Sequence, residues 1–190
     1  MGPNFVRLAA LFYGALAVAA ALWNGLRGRG FQMGDSIPGS LLLGLLAAAA
    51  TVALGLALYG LVPAMRRIAG ELAPHLVDRM SRSDLVLISV FSGVGEELFF
   101  RGAVQPEFGL TVAALAFGLV HVGPDRRYLV WTAWAVLAGF LFGFLYRFSG
   151  GLLAPVVAHT LHNAAMFLIW KRSRKGKSDG ELPAAGAGQG

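Results

Sequence analysis

The chain has 190 residues, of which 56% are hydrophobic and only 14% charged, whereas soluble domains are about a quarter charged. Residues 8–26, 36–65, 128–146 and 148–170 contain no Asp, Glu, Lys or Arg, and a helix needs roughly 20 mostly apolar residues to span a bilayer. These runs argue against a soluble fold and a nucleic-acid binder, and the absence of cysteine against a disulfide-stapled secreted domain.

The first apolar run is long for a signal peptide. Its small residues, Ala19-Ala20-Ala21, lie inside the run and not after it, so it reads as a first transmembrane helix over about residues 4–23. A polar loop, 24–36, leads to a long second helix, 37–65. Segment 66–82 mixes Arg66, Arg67, Glu71, Asp78 and Arg79 with Ile68, Leu72, Val77 and Met80. It reads either as an amphipathic helix at the membrane surface or as a polar linker. A third helix starts near residue 84 and carries Glu96-Glu97 within its apolar run. A fourth, 108–120, is short and ends at His121, before the helix breakers Gly123 and Pro124. Residues 128–146 and 152–170 are each long enough to span. Gly139 and Gly143 are four apart, a spacing that suits close helix packing. Residues 171–190 open with a basic run and end in Gly, Ala and Pro. They read as a membrane-surface collar followed by disorder.

The expected architecture is all-α: one polytopic bundle of about six transmembrane helices over residues 1–170, with a tail at 171–190. Placing both termini in the cytoplasm puts twelve of the 16 Lys and Arg residues on that side, leaving only Arg27, Arg29, Arg101 and Arg147 opposite. That is the positive-inside pattern.

Ionisable side chains inside a bilayer mark functional sites by default, and here they cluster. Glu96 and Glu97 sit in the third helix, His121 ends the fourth, and His159, His162 and Asn163 lie in the sixth. Residues four apart share a helix face, so Glu97 can pair with Arg101, Phe117 lies over His121, and His159 over Asn163. Glu96, turned by about 100° from Glu97, is left free. At about 1.5 Å rise per residue, Glu96, His121 and His159 come out roughly 10–16 Å from the non-cytoplasmic surface of a core about 30 Å thick. Water is expected to reach them from that side.

Three ordered motifs cover these residues: Glu96-Glu97-Leu98-Phe99-Phe100-Arg101, Phe117-Gly118-Leu119-Val120-His121 and His159-Thr160-Leu161-His162-Asn163. Together, over residues 84–170, they resemble the CPBP family of intramembrane glutamic endopeptidases, the CAAX protease and bacteriocin-processing group, and within it the myxosortases. The resemblance implies a bacterial cell-membrane enzyme that cleaves a membrane-anchored protein or peptide. It implies Glu96 as the general base that activates a water, helped by His121. His159 and Asn163 would stabilise the oxyanion, and Glu97 and Arg101 would organise the site. His162 lies outside the motif and reads as a supporting residue beside it.

Three other readings stay open on sequence. Two His and a Glu can hold zinc with a position free for water, although the chain has no His-Glu-x-x-His; the resemblance implies no cofactor. Some family members are described by bacteriocin immunity, which suggests a non-proteolytic scaffold. Glu96 and His121 could instead relay protons in a transporter.

Overall fold

The computed structural model describes residues 2–180. It contains α1 (Gly2–Leu26), α2 (Ile37–Leu61), α3 (Pro63–Leu76), α4 (Arg82–Phe99), α5 (Gln105–Leu119), α6 (Leu129–Ser149) and α7 (Leu153–Gly180). Among the described residues the extended pairing is one isolated bridge, Met33 to Gly151. Asn4–Leu26, Ile37–Leu61, Arg126–Ser149 and Leu153–Arg174 are each long and apolar enough to cross a bilayer. Leu8, Leu11, Leu42, Leu46, Leu137 and Phe148 are exposed on the outside of the bundle, where lipid rather than water would solvate them. This is the expected polytopic helical bundle, with α1, α2, α4, α5, α6 and α7 as its six members.

Helix boundaries follow local chemistry. The sequence reading carries the second helix to Met65, but it stops at Leu61. Val62 precedes Pro63 and is extended, with φ −104° and ψ 106°; the residue before proline is disfavoured from the α region. Pro63 then starts α3 at the position where a missing N–H costs nothing. Of the two readings for this segment, the amphipathic helix is the one that forms. Ile68, Ala69 and Ala73 are buried, and Arg66, Arg67 and Glu71 are exposed.

The third and fourth expected helices are not separated by a loop. The chain passes from α4 through a π turn, Phe100–Val104, directly into α5. Wide turns of this kind are rare and gather at functional sites. Pro106 has no N–H to offer the carbonyl of Gly102, and Asn24 Nδ2 donates to that carbonyl instead, at 2.8 Å. A kink follows at Gly109, whose φ of 85° is open to glycine at little cost. Beyond it α5 has too few residues to span a bilayer alone.

α1 packs on α4, α4 on α7, α7 on α2 and α5 on α6. Gly139 and Gly143 serve the close packing their spacing suggested: Gly139 faces Ala114, and Gly143 faces Leu110 and Gln105.

The two ends of the bundle differ. At the end marked by Arg27, the α1–α2 loop folds over the bundle. Arg27 and Arg29 both pair with Glu107, the latter at 2.7 Å, and Asp35 N donates to Ser149 O and Leu152 N to Gln32 O, each at 2.9 Å. At the opposite end, Arg127 pairs with Glu71 at 2.8 Å. The sequence ends the last helix at Trp170, but α7 continues to Gly180. Lys171 donates to the Val77 and Met80 carbonyls, and Arg174 bonds Asp78 at 2.6 Å. That hydrogen bond holds the Asp78 carboxyl below its ordinary range. Of the expected tail, residues 181–190 lie outside the described residues.

Candidate active site

α4 is enclosed by α1 on one side and α7 on another, so two neighbouring residues about 100° apart can both be covered. Glu96 is 7% exposed, and Glu97 and Arg101 are each 0% exposed. Burying a charge is costly unless it is paired and hydrogen-bonded, and the pairing is explicit. Arg101 Nη1 donates to Glu97 Oε1 at 3.0 Å, as the four-residue spacing requires. Arg101 Nη2 donates to the carbonyl of Gly139 at 3.0 Å. One turn on, Gln105 Nε2 donates to the carbonyl of Gly143 at 2.9 Å. The two glycines of α6 thus accept two consecutive rungs from the α4–α5 segment. The guanidinium lies 4.5 Å from the Phe117 ring centre, a favourable cation–π arrangement.

Glu97 also reaches α7. His159 Nδ1 lies 2.8 Å from Glu97 Oε1; a carboxylate only accepts, so Nδ1 carries the proton. The imidazole is stacked on Phe142 with ring centres 5.0 Å apart. Its other nitrogen, Nε2, stands 3.9 Å from Glu96 Oε2. His121 approaches the same oxygen from α5, with Nε2 at 4.0 Å. Its Nδ1 lies 2.7 Å from the carbonyl of Phe117 and must donate there, which leaves Nε2 of a neutral ring as an acceptor. Glu96 Oε2 is buried and has no hydrogen-bond partner among the described residues.

A second rung lies one turn away. Ser92 precedes Glu96 by four residues, and Asn163 follows His159 by four. Asn163 Nδ2 donates to Ser92 Oγ at 3.0 Å, and Ser92 in turn donates to the carbonyl of Ser89. One N–H of the Asn163 amide is therefore fixed and the other is left over.

The structure brings Glu96, Glu97, Arg101, Phe117, His121, His159 and Asn163 together. His162 stands apart from the carboxylates: its ring lies against Trp134, 5.8 Å between centres, and its buried Nδ1 has no hydrogen-bond partner among the described residues. The sequence reading missed Tyr13 and Ser92. Tyr13 is pressed by α1 against Gly95 and interacts with the Glu96 carboxyl. It is the one hydroxyl-bearing side chain in 4–23, which was the available signal. Ser92 was legible too, as the residue one turn before Glu96.

At the Arg27 end the folded loop bonds Glu107, Ser149 and Leu152. At the other end His121 is partly exposed, and its carbonyl accepts from Thr132 Oγ1 at 3.2 Å, only three residues into α6. The short α5 therefore delivers His121 towards the Arg127 end. The cavity containing His121, His159 and Asn163 also includes Trp131 and Trp134 from the first two turns of α6. His121, Trp131 and Trp134 thus stand near the Arg127 end of α6, whereas the depth arithmetic counts His121 from the Arg27 end.

Residues 79–165 match the family of type II CAAX prenyl endopeptidase Rce1-like proteins. The match takes in all three motifs, and it bears out the resemblance to the CAAX protease group. An uncharacterised protein of Bacillus subtilis (strain 168), YpbD, is 26% identical over 112 residues, covering 58% of this chain. The chain spans 59% of the length of that relative. No solved structure matches.

Proposed function

We propose that the chain is an intramembrane endopeptidase that uses Glu96 to activate water. The observation that supports it best is the unpartnered Glu96 Oε2, 4.0 Å from His121 Nε2 and 3.9 Å from His159 Nε2. Those gaps are too wide for direct hydrogen bonds and fit one oxygen at about 2.8 Å from each atom. Ligand atoms around a tetrahedral zinc, bound at about 2.0–2.1 Å, would sit closer, about 3.3 Å apart. Among the described residues no group of three His, Asp or Glu is arranged to hold a metal ion.

In this reading Glu96 takes one proton from the water while the neutral His121 Nε2 accepts a hydrogen bond from the other. The hydroxide oxygen bonds the scissile carbonyl carbon, and the carbonyl electron pair moves onto its oxygen. His159, as an imidazolium balanced by Glu97, donates to that oxyanion through Nε2–H, and the spare N–H of Asn163 is the second donor. Collapse of the intermediate breaks the C–N bond, and Glu96 returns its proton to the departing amine. Removing one such oxyanion donor typically costs about 10²–10³ in rate. Phe117 and Phe142 hold the two imidazoles, and Arg101 fixes Glu97.

The substrate is a membrane-anchored protein or peptide, and the enzyme belongs in a bacterial cell membrane with both termini cytoplasmic. On that topology the Arg127 end faces the cytoplasm, and the scissile bond lies towards that face. Two expected outcomes test this. In membrane proteomes of cells carrying wild-type or Glu96→Ala protein, at least one membrane protein should stay uncleaved with the variant. Identical proteomes would favour the scaffold or transporter readings. For topology, cysteines can be introduced singly because the chain has none. Val122→Cys, 53% exposed beside His121, should react with an impermeant maleimide in inverted vesicles and not in intact cells. Arg27→Cys should do the reverse. The opposite pattern would invert the orientation.

A further inference from the structure

Tyr59 stands in the last turn of α2, and Trp170 closes the last charge-free run. Aromatic residues at such boundaries sit at headgroup level. At this level, at the Arg127 end, a cavity of about 280 Å³ lies between α2, α3 and α7. Arg66 and Arg174 line it, and among the described residues no Asp or Glu does. It shares no lining residue with the catalytic cavity. We propose that it binds the phosphate of one anionic phospholipid. The inference stands apart from the endopeptidase reading and needs only the membrane location.

The donors carry it. Arg66 Nη1 donates to the carbonyls of Tyr59 and Gly60, which lie in the last turn of α2 and have no partner within the helix. Its Nε and Nη2 make no hydrogen bond among the described residues, and no carboxylate there offsets its charge. Arg174 gives Nε and Nη2 to Asp78 and keeps Nη1. A planar fork of N–H donors matches the geometry of a phosphate. Both side chains are already held by these other contacts, so a ligand does not bear the cost of ordering them. The charge left on Arg66 favours an anionic headgroup over a zwitterionic one. A lipid is the fitting source of the phosphate. Leu56 and Leu61 of α2 are exposed beside the cavity, so acyl chains surround α2 up to this level. Anionic lipids also collect in the cytoplasmic leaflet, the side on which the proposed topology puts this end.

Gly70 allows the cavity to be filled without touching a charge. It lines the cavity, and a Cβ added there would meet nothing within 4 Å. Gly70→Leu therefore occupies the space without forcing α3 from its neighbours. Arg66→Gln removes the fork. Arg67→Gln removes an adjacent charge that does not line the cavity and serves as the control.

The experiment places the full chain in nanodiscs of phosphatidylcholine, alone or mixed with phosphatidylglycerol. Native mass spectrometry reads bound lipid, hydrogen exchange reads α3, and thermal melting reads the fold. The wild type should retain one phosphatidylglycerol in preference to phosphatidylcholine, and α3 should exchange more slowly when it is present. Arg66→Gln and Gly70→Leu should each lower that retention at least tenfold and abolish the slowing. Arg67→Gln should leave both unchanged. Gly70→Leu decides the matter if Arg66→Gln, having lost its bonds to α2, fails to fold. Equal retention in wild type and Gly70→Leu would overturn the site. So would the same loss in Arg67→Gln as in Arg66→Gln, which is what a diffuse basic surface gives. Equal slowing of α3 by inorganic phosphate in phosphatidylcholine nanodiscs would overturn the lipid as the source of the phosphate.

Discussion

A Glu96→Gln protein should fold as the wild type does and lose cleavage by about 10²–10⁴-fold, the usual worth of a general base. At 1.36 kcal/mol per tenfold, that is about 3–5 kcal/mol of barrier. Folding should survive because the carboxyl oxygen nearest the two imidazoles, Oε2, has no hydrogen-bond partner among the described residues to lose, and glutamine keeps the shape. Glu97→Gln should behave differently. Glu97 Oε1 carries bonds from both Arg101 and His159, so the amide leaves a fully buried guanidinium without its counterion. The measurements are peptide cleavage and thermal melting of the same purified samples. A Glu96→Gln protein with wild-type cleavage, or a well-folded Glu97→Gln protein that is inactive beside an active Glu96→Gln, would reverse the assignment.

The sequence was informative wherever one residue type carried the constraint. Charge-free runs gave the spanning helices, because a charge in hydrocarbon is expensive. The four-residue spacing of Glu97 and Arg101 gave their ion pair, because helix geometry fixes that neighbourhood. Convergence of Glu96, His121 and His159 was legible for the same reason: each is costly in an apolar segment, and three such costs suggest one shared site. What stayed hidden depends on tertiary geometry. Nothing in residues 98–108 marks the π turn that carries α4 into α5 without a loop. The level of His121 was not legible because the depth arithmetic measured each helix from an assumed surface. It is the contact of its carbonyl with Thr132 that shows the level it occupies. Asn24 looked like a loop residue and is buried, satisfying the carbonyl that Pro106 leaves free. No local pattern announces a partner 78 residues away.

Arg101→Ala should lower stability by about 3–5 kcal/mol, the usual result of removing one partner from a buried ion pair. For a chain of this size, that corresponds to roughly 6–20 °C in melting temperature. The loss has three parts. Glu97 keeps its hydrogen bond from His159 but loses the guanidinium beside it. The Gly139 carbonyl loses its bond from Nη2, and the Phe117 face loses the guanidinium stacked at 4.5 Å. Arg101→Lys should recover only part, because an ammonium is a point charge and does not reproduce the planar fork that serves Glu97 and Gly139 together. The double variant Glu97→Gln with Arg101→Met is the informative one. It removes both charges at once, and replacing a whole buried pair with groups of similar volume is often close to neutral. Its melting temperature should therefore rise above that of Arg101→Ala. Its cleavage should stay low, because His159 has lost the carboxylate that makes its imidazolium a donor. Stability and activity would then separate in one protein: the pair holds the fold through Arg101 and the chemistry through His159. An Arg101→Ala protein that melts with the wild type would show that the buried pair contributes nothing to the fold. A double variant that regains full cleavage would show that Glu97 has no part in the chemistry.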